Sequence, residues 1–273
     1  PFIWHMRDFW LSENKPKRLW LDQLGKQWLC RAATAVIANS HAVASHLPCP
    51  NKVQVVHNGI DLTQFEPKSS PATFRQQFNI PPDAPLVGTV GRLRPWKGQD
   101  RFIRVAAAVA KSNPAVHFLI VGGSLFQVND DFEKQLHQLV ADNNLNNRIT
   151  FTGQLQNVRP ALAELDIFVH AGSPEPFGLV NVEAMAMGKP VVAFAHGALP
   201  EIVRHEETGL LIQPENEGGM ATAVTHLLNQ SAKRIEMGQN GRLRAASHFN
   251  IQRVAHEIET IYDKIQSADK QNI

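Results

Sequence analysis

Two kinds of segment alternate along this chain: short apolar runs bounded by turn-forming residues, and longer stretches with apolar positions at helical spacing. The first kind reads as strands buried on both faces, the second as amphipathic helices. The opening run, 1–6, predicts a strand ending at Arg7-Asp8, and 17–33 a helix with Leu21, Leu24, Trp28 and Leu29 on one face. A short strand follows at 35–38. Ser40 can then supply the N-cap oxygen of a helix over 41–47. Residues 53–56 make a third strand before the turn His57-Asn58-Gly59-Ile60-Asp61. Three strands are too few for a doubly wound sheet, so further strands are expected ahead of Pro1.

Lys68-Ser69-Ser70-Pro71 has linker composition, and Pro81-Pro82-Asp83-Ala84-Pro85 breaks the pattern again. Strands are then predicted at 86–90, 116–121, 148–151, 166–169, 190–194 and 209–212. Helices are predicted between them at 99–111, 130–142, 158–165 and shortly after Gly178, then at 217–228, 233–247 and 251–265. Strands alternating with helices imply an α/β chain with a doubly wound parallel sheet of six strands, in the Rossmann-like manner. The expected organisation is the remnant of an N-terminal Rossmann-like domain over 1–66, a linker over 67–84, a ligand-binding domain over 85–248 and a C-terminal helix over 249–273.

Composition narrows the classes. Of 273 residues, 43% are hydrophobic and 19% charged, as in globular proteins, and the net charge of +2 is too small to argue for nucleic acid. No apolar run approaches the length of a membrane span. The basic, Trp-rich helix carrying Lys17, Arg18, Trp20, Lys26 and Trp28 either packs on its own sheet or rests at a membrane surface. The two cysteines, Cys30 and Cys49, form no CxxC pattern and are expected as reduced thiols. Twelve histidines are scattered, with neither His-Glu-x-x-His nor Asp-x-Asp, so no metal site is expected.

Three motifs sit after predicted strands, where open α/β sheets bind ligands. The first, Gly91-Arg92-Leu93-Arg94-Pro95-Trp96-Lys97-Gly98, is neither a dinucleotide fingerprint nor a P-loop. It offers a turn with two phosphate-binding cations, Arg92 and Lys97. The second runs from Ser173-Pro174-Glu175-Pro176-Phe177-Gly178-Leu179 through Glu183. A loop turning into a helix at glycine presents free N–H groups and the positive end of the helix dipole, which suits a phosphate. With Glu175 ahead of the helix and Glu183 eight positions on, the ligand that fits has both phosphate and hydroxyl groups, as a nucleotide sugar does. Glu183 stands on an otherwise apolar helix and is expected to have a partner. The third, His196-Gly197-Ala198-Leu199-Pro200-Glu201, either lines the same cleft through Gly197 and Glu201 or is a plain strand-to-helix turn.

Together with Val56-His57-Asn58-Gly59-Ile60-Asp61, these motifs resemble, in order, those of the retaining GT-B glycosyltransferases of family 4, from about residue 35 to the end. The resemblance implies a GT-B fold lacking most of its N-terminal domain, with the final helix crossing back to that domain. It implies metal-independent sugar transfer from a nucleotide-diphosphate sugar to a sugar, lipid or small-molecule acceptor, with retention of configuration. Arg92 and Lys97, beside Gly91, would hold the diphosphate. Glu175 and the backbone of Phe177, Gly178 and Leu179 would hold the transferred sugar and its phosphate, and Glu183 the ribose. Many members carry a histidine where this strand ends; here Arg7 stands there, with His5 two residues earlier on the same face, so either is a candidate for the cleft. No cofactor is implied beyond the nucleotide sugar as co-substrate, and the place implied is the cytoplasm, at the inner face of a membrane. A truncated chain that binds nucleotide sugar without transferring it, or a related GT-B epimerase or phosphorylase, is the alternative.

Overall fold

The computed structural model describes residues 1–9, 19–66, 73–124 and 130–270. The first residues of the helix expected over 17–33 and the segment Lys68 to Pro71 lie outside these. The N-terminal part consists of β1 (Ile3–Met6), α1 (Leu19–Ala32), β2 (Ala35–Ala38), α2 (His41–Ala44) and β3 (Val53–Val55). Its three strands pair in parallel, in the order β1-β2-β3. All four residues of β2, the central strand, are buried, which is why that strand is wholly apolar.

The span read as a linker contains a short helix, α3 (Thr73–Gln77), and buries Phe74 and Ile80. Arg75 ties this span to the second sheet's layer through Glu164, at 2.5 Å. A five-residue helix carries too little periodicity to announce itself in sequence.

The second sheet comprises β4 (Leu86–Val90), β5 (His117–Val121), β6 (Ile149–Phe151), β7 (Ile167–His170), β8 (Val191–Phe194) and β9 (Gly209–Ile212). All its pairs are parallel, in the order β6-β5-β4-β7-β8-β9. The chain therefore winds outward from β4 to one edge, returns to β7 beside β4 and winds out the other way. At that reversal the chain leaving β4 and the chain leaving β7 run on to helices in opposite layers, which leaves a crevice at the carboxyl edge. Helices cover both faces. One layer includes α4 (Gln99–Ser112), whose Phe102, Ile103, Val105, Ala106 and Val109 are buried, and α5 (Asp130–Asp142). The other includes α6 (Arg159–Glu164), α7 (Leu179–Ala186) and α8 (Leu199–Ile202).

After β9 come α9 (Glu217–Asn229), α10 (Ser231–His248) and the long α11 (Ile251–Lys270). Val254 and Ile261 of α11 are buried against Ile37 and Val56 of the first sheet's layer. At the start of α11, Ile60 and Asn250 form an isolated bridge. The final helix thus lies on the N-terminal part and fastens it to the second.

The cysteines differ from expectation: Cys30 and Cys49 form a disulfide joining the end of α1 to the loop before β3. Two thiols 19 residues apart give no sequence sign of pairing. The fold supplies it by placing both at one end of the first sheet, with Cα atoms 5.8 Å apart, inside the usual disulfide range. No described helix is long and apolar enough to cross a membrane.

Candidate active site

The crevice at the sheet reversal opens into a cleft of about 500 Å³ between the two parts of the chain. Arg7, Asn39 and Asn58 line it from the first part; Gly91, Arg92, Lys97, Glu175, Phe177, Gly178, Leu179 and Glu183 line it from the second. Lys97 and Glu175, 78 positions apart in sequence, meet here because their loops leave neighbouring strands.

The two loops are stapled together by backbone. Ser173 N–H donates to the Trp96 carbonyl at 2.7 Å, and Arg101 reaches the Ala171 carbonyl at 3.3 Å. Gly98 makes the approach possible: its φ is +73°, and a Cβ there would lie 2.1 Å from the Ala171 carbonyl oxygen. Buried Gln99 closes the turn by donating to the Arg92 carbonyl at 2.9 Å. Lys97 is thereby directed at Glu175, with Nζ to Oε1 at 2.5 Å. Arg92 is exposed at the cleft wall.

Glu175 is buried. Burial alone would raise its carboxyl, but the His170 hydrogen bond and charge, with the Lys97 ammonium, outweigh that and hold it at about 2. His170, at the end of β7, places Nε2 3.4 Å from the same Oε1, and its buried Nδ1 has no partner among the described residues. The sequence reading passes over this histidine. The available signal was a titratable residue ending an apolar strand at the ligand-binding edge. Asn39, immediately after β2, is a polar residue in the corresponding place: it donates to the Arg7 carbonyl at 3.2 Å, and its buried Oδ1 has no partner among the described residues.

Gly178 takes φ +85° and starts α7. Its carbonyl is held by both the Asn181 backbone and side chain, at 3.0 Å each. The first N–H groups of α7 point along the helix axis towards the cleft, where the backbone dipole favours an anion. One turn in, Glu183 lines the same space. Among the described residues no hydrogen bond or ion pair reaches its carboxylate, contrary to the partner expected for it, and burial pushes its pKa up. A raised, unpartnered carboxylate facing a cleft is suited to receiving hydroxyl donors.

The remaining candidates separate. Arg7 lines the cleft, but His5 turns away and meets Tyr262 Oη of α11 at 2.9 Å. Arg7 lies beyond the end of β1, so strand alternation no longer keeps the two on one face. Gly197 is behind the cleft wall: at φ +55°, a Cβ would come within 2.6 Å of both N and O of Glu175. It lets the next N–H, from Ala198, hold the Glu175 carbonyl at 2.9 Å. Glu201 is not in the cleft wall either. Its carboxylate crosses to the first part of the chain, accepting from His41 N at 2.7 Å, Ala42 N at 2.8 Å and His57 Nε2 at 2.8 Å. His41, His57 and Glu201 also bring potential metal-ligand atoms within 4.8 Å of one another.

Two Rossmann-like units facing each other across a cleft, with a final helix returning to the first, define a GT-B type fold. The chain belongs to the family of glycosyl transferases group 1, whose model matches residues 71–244. It is 34% identical over 241 residues to the lipopolysaccharide core biosynthesis mannosyltransferase LpsB of Rhizobium meliloti, covering 88% of this chain and 68% of that one. It is 34% identical over 227 residues to the D-inositol 3-phosphate glycosyltransferase of Mycobacteroides abscessus, covering 80% of this chain and 49% of that one. The chain therefore spans between half and about two thirds of the length of these relatives. Among solved structures, Anabaena Alr3699/HepE in complex with UDP and glucose superposes with a TM-score of 0.87 at 29% identity, over 96% of this chain and 71% of that one.

Proposed function

We propose that this chain carries the donor site of a family 4 glycosyltransferase that moves a sugar from a nucleotide-diphosphate donor to an acceptor hydroxyl, with retention and without a metal ion. The observation that carries the proposal is the Lys97–Glu175 contact in a cleft shared with Arg92, the start of α7 and Glu183. In this reading Arg92, Lys97 and the N–H groups of Gly178 and Leu179 receive the diphosphate. Glu175 takes the sugar hydroxyls and Glu183 the ribose. The bond from C1 to the β-phosphate oxygen breaks as the acceptor oxygen bonds to C1 on the same face. The acceptor proton passes to the departing phosphate. Negative charge grows on that phosphate in the transition state, so fixed donors aimed at it lower the barrier. Lys97 can serve both partners at once, since an ammonium has three donors.

The UDP complex of HepE makes uracil the first base to test. A saccharide or lipid-linked acceptor follows from LpsB. Trp20, Leu24 and Trp28, exposed by 61%, 55% and 67% at four-residue spacing on α1, supply a face for the cytoplasmic side of a membrane. Because the chain spans only part of its relatives, the second reading is a unit that binds the donor and transfers nothing alone.

Transfer from UDP-sugars, followed by NMR of the product anomer in the presence of EDTA, tests the proposal. Retained configuration and unimpaired turnover are expected. Lys97→Ala and Glu175→Ala should each lower kcat by about 100-fold or more. Near-normal turnover in either variant contradicts the site.

A further inference from the structure

We infer that Glu201 is a positioning residue: it clamps the two walls of the cleft together and, through them, fixes the loop that carries Glu175 and starts α7. This concerns the same cleft and rests on the proposed transfer reaction only for its catalytic consequence.

Glu201 is on the second part of the chain, yet all three donors to its carboxylate come from the first, about 144–160 positions away: His41 N, Ala42 N and His57 Nε2. The carboxylate accepts from the orphan N–H donors at the start of α2, and charge-assisted bonds of this kind are the strong ones. These bonds outweigh the cost of half-burial and hold the Glu201 carboxyl below its usual value. Both of its oxygens are thereby committed, and the His41 and His57 cluster is better explained as a clamp than as a metal site. Glu201 is itself anchored from behind, since Arg244 donates to its carbonyl at 2.6 Å and to that of Ile202 at 2.8 Å.

The clamp reaches the donor loop by two routes. The His57 ring, held by Glu201, lies 5.9 Å from the Phe177 ring and 5.9 Å from Phe249, which also contact each other at 5.8 Å. Phe177 is buried and directly precedes Gly178. Ser40, adjacent to His41, donates through Oγ to the Pro176 carbonyl at 2.7 Å while capping Val43 N at 3.0 Å. One side chain of the first part thus holds the loop between Glu175 and Gly178, at the residue directly after Glu175. Loss of the Glu201 carboxylate frees His41, Ala42 and His57 together. Ser40 and the Phe177 packing then have no fixed counterpart.

Amide hydrogen exchange measures this without substrate. In Glu201→Ala, exchange over 175–183 should rise by about five-fold or more, while β5 and β7 keep wild-type protection. Glu201→Gln, which retains an acceptor oxygen, should restore part of it, and His57→Phe, which keeps a ring but loses the bond, should show a smaller rise. UDP binding should weaken alongside the rise in exchange, because Gly178, Leu179 and Glu183 lie in the loosened stretch, and turnover should fall in kcat as well. Unchanged exchange over 175–183 in both Glu201 variants overturns the inference. So does an equal rise across every strand, which would make Glu201 a general stabiliser of the fold. Failure of wild type to bind any of UDP, GDP and ADP would instead undo the donor-site reading and leave the exchange result standing.

Discussion

At the residue scale, the two cleft glutamates behave as opposites because their surroundings differ. Glu175 is ionised by His170 and Lys97 despite its burial, with a value near 2 against an ordinary 4.5. A carboxyl depressed in the folded state stabilises the fold above its unfolded value and stops doing so as the proton binds. Stability should therefore be full above about pH 4.5 and fall towards pH 2, with Glu175 supplying about 3 kcal/mol of that loss. Denaturant titrations from pH 7 to 2 should show a flatter acid limb in Glu175→Gln. Glu183 runs the other way: burial raises its pKa, so its ionised form weighs against the fold as pH rises. Glu183→Gln should raise the Tm of unliganded protein at pH 7, with the difference closing towards pH 4. Binding of UDP should weaken by about 10-fold, as expected for losing charged hydrogen bonds to ribose. A gain in stability with a loss of affinity marks a group kept for its ligand. The choice between His5 and Arg7 could not be read from sequence, because both sit on one face only if the strand continues, and it ends at Met6.

At the scale of elements, the six-strand sheet was legible because every strand is a short apolar run buried on both faces, and all six were predicted to within one residue at either end. Buried helices with strong caps or periodicity were equally clear. What was not legible is contact between elements: the Cys30–Cys49 bridge, the packing of α3 and the reach of Glu201 to α2 all depend on positions far apart in sequence. The stapling of the two ligand loops is another such contact, and glycine identity tests it. Gly98 and Gly153 share a left-handed φ, +73° and +68°, but a Cβ at Gly98 would strike the Ala171 carbonyl whereas one at Gly153 would meet nothing within 4 Å. Gly98→Ala should cost about 2–3 kcal/mol in chemical denaturation and displace Lys97 from Glu175. Gly153→Ala should cost about 1 kcal/mol, from backbone strain alone. Equal costs would mean that the close approach of the two loops is not what the glycine serves.

At the scale of the whole molecule, the cleft exists because α11 and the Glu201 contacts hold two Rossmann-like units face to face. Each unit contributes one kind of chemistry. The second brings Arg92, Lys97 and the start of α7, the features of an anion site, together with the carboxylates of Glu175 and Glu183. The first brings Arg7, Asn39 and Asn58 on the opposite wall. The second unit's side of the cleft was readable from motifs because its residues lie close to strand ends in one domain. The opposing wall was not, because three scattered residues become a surface only on folding. The central claim is that this cleft binds the diphosphate of a nucleotide donor through Arg92 and Lys97. Titration calorimetry of UDP, with uridine, GDP and ADP alongside, into wild type and an Arg92→Met, Lys97→Met double variant tests it most directly. A nucleoside diphosphate should bind and uridine should not, with affinity lost by about 100-fold or more in the double variant. Unchanged affinity in that variant, or no binding of any nucleoside diphosphate by wild type, would contradict it.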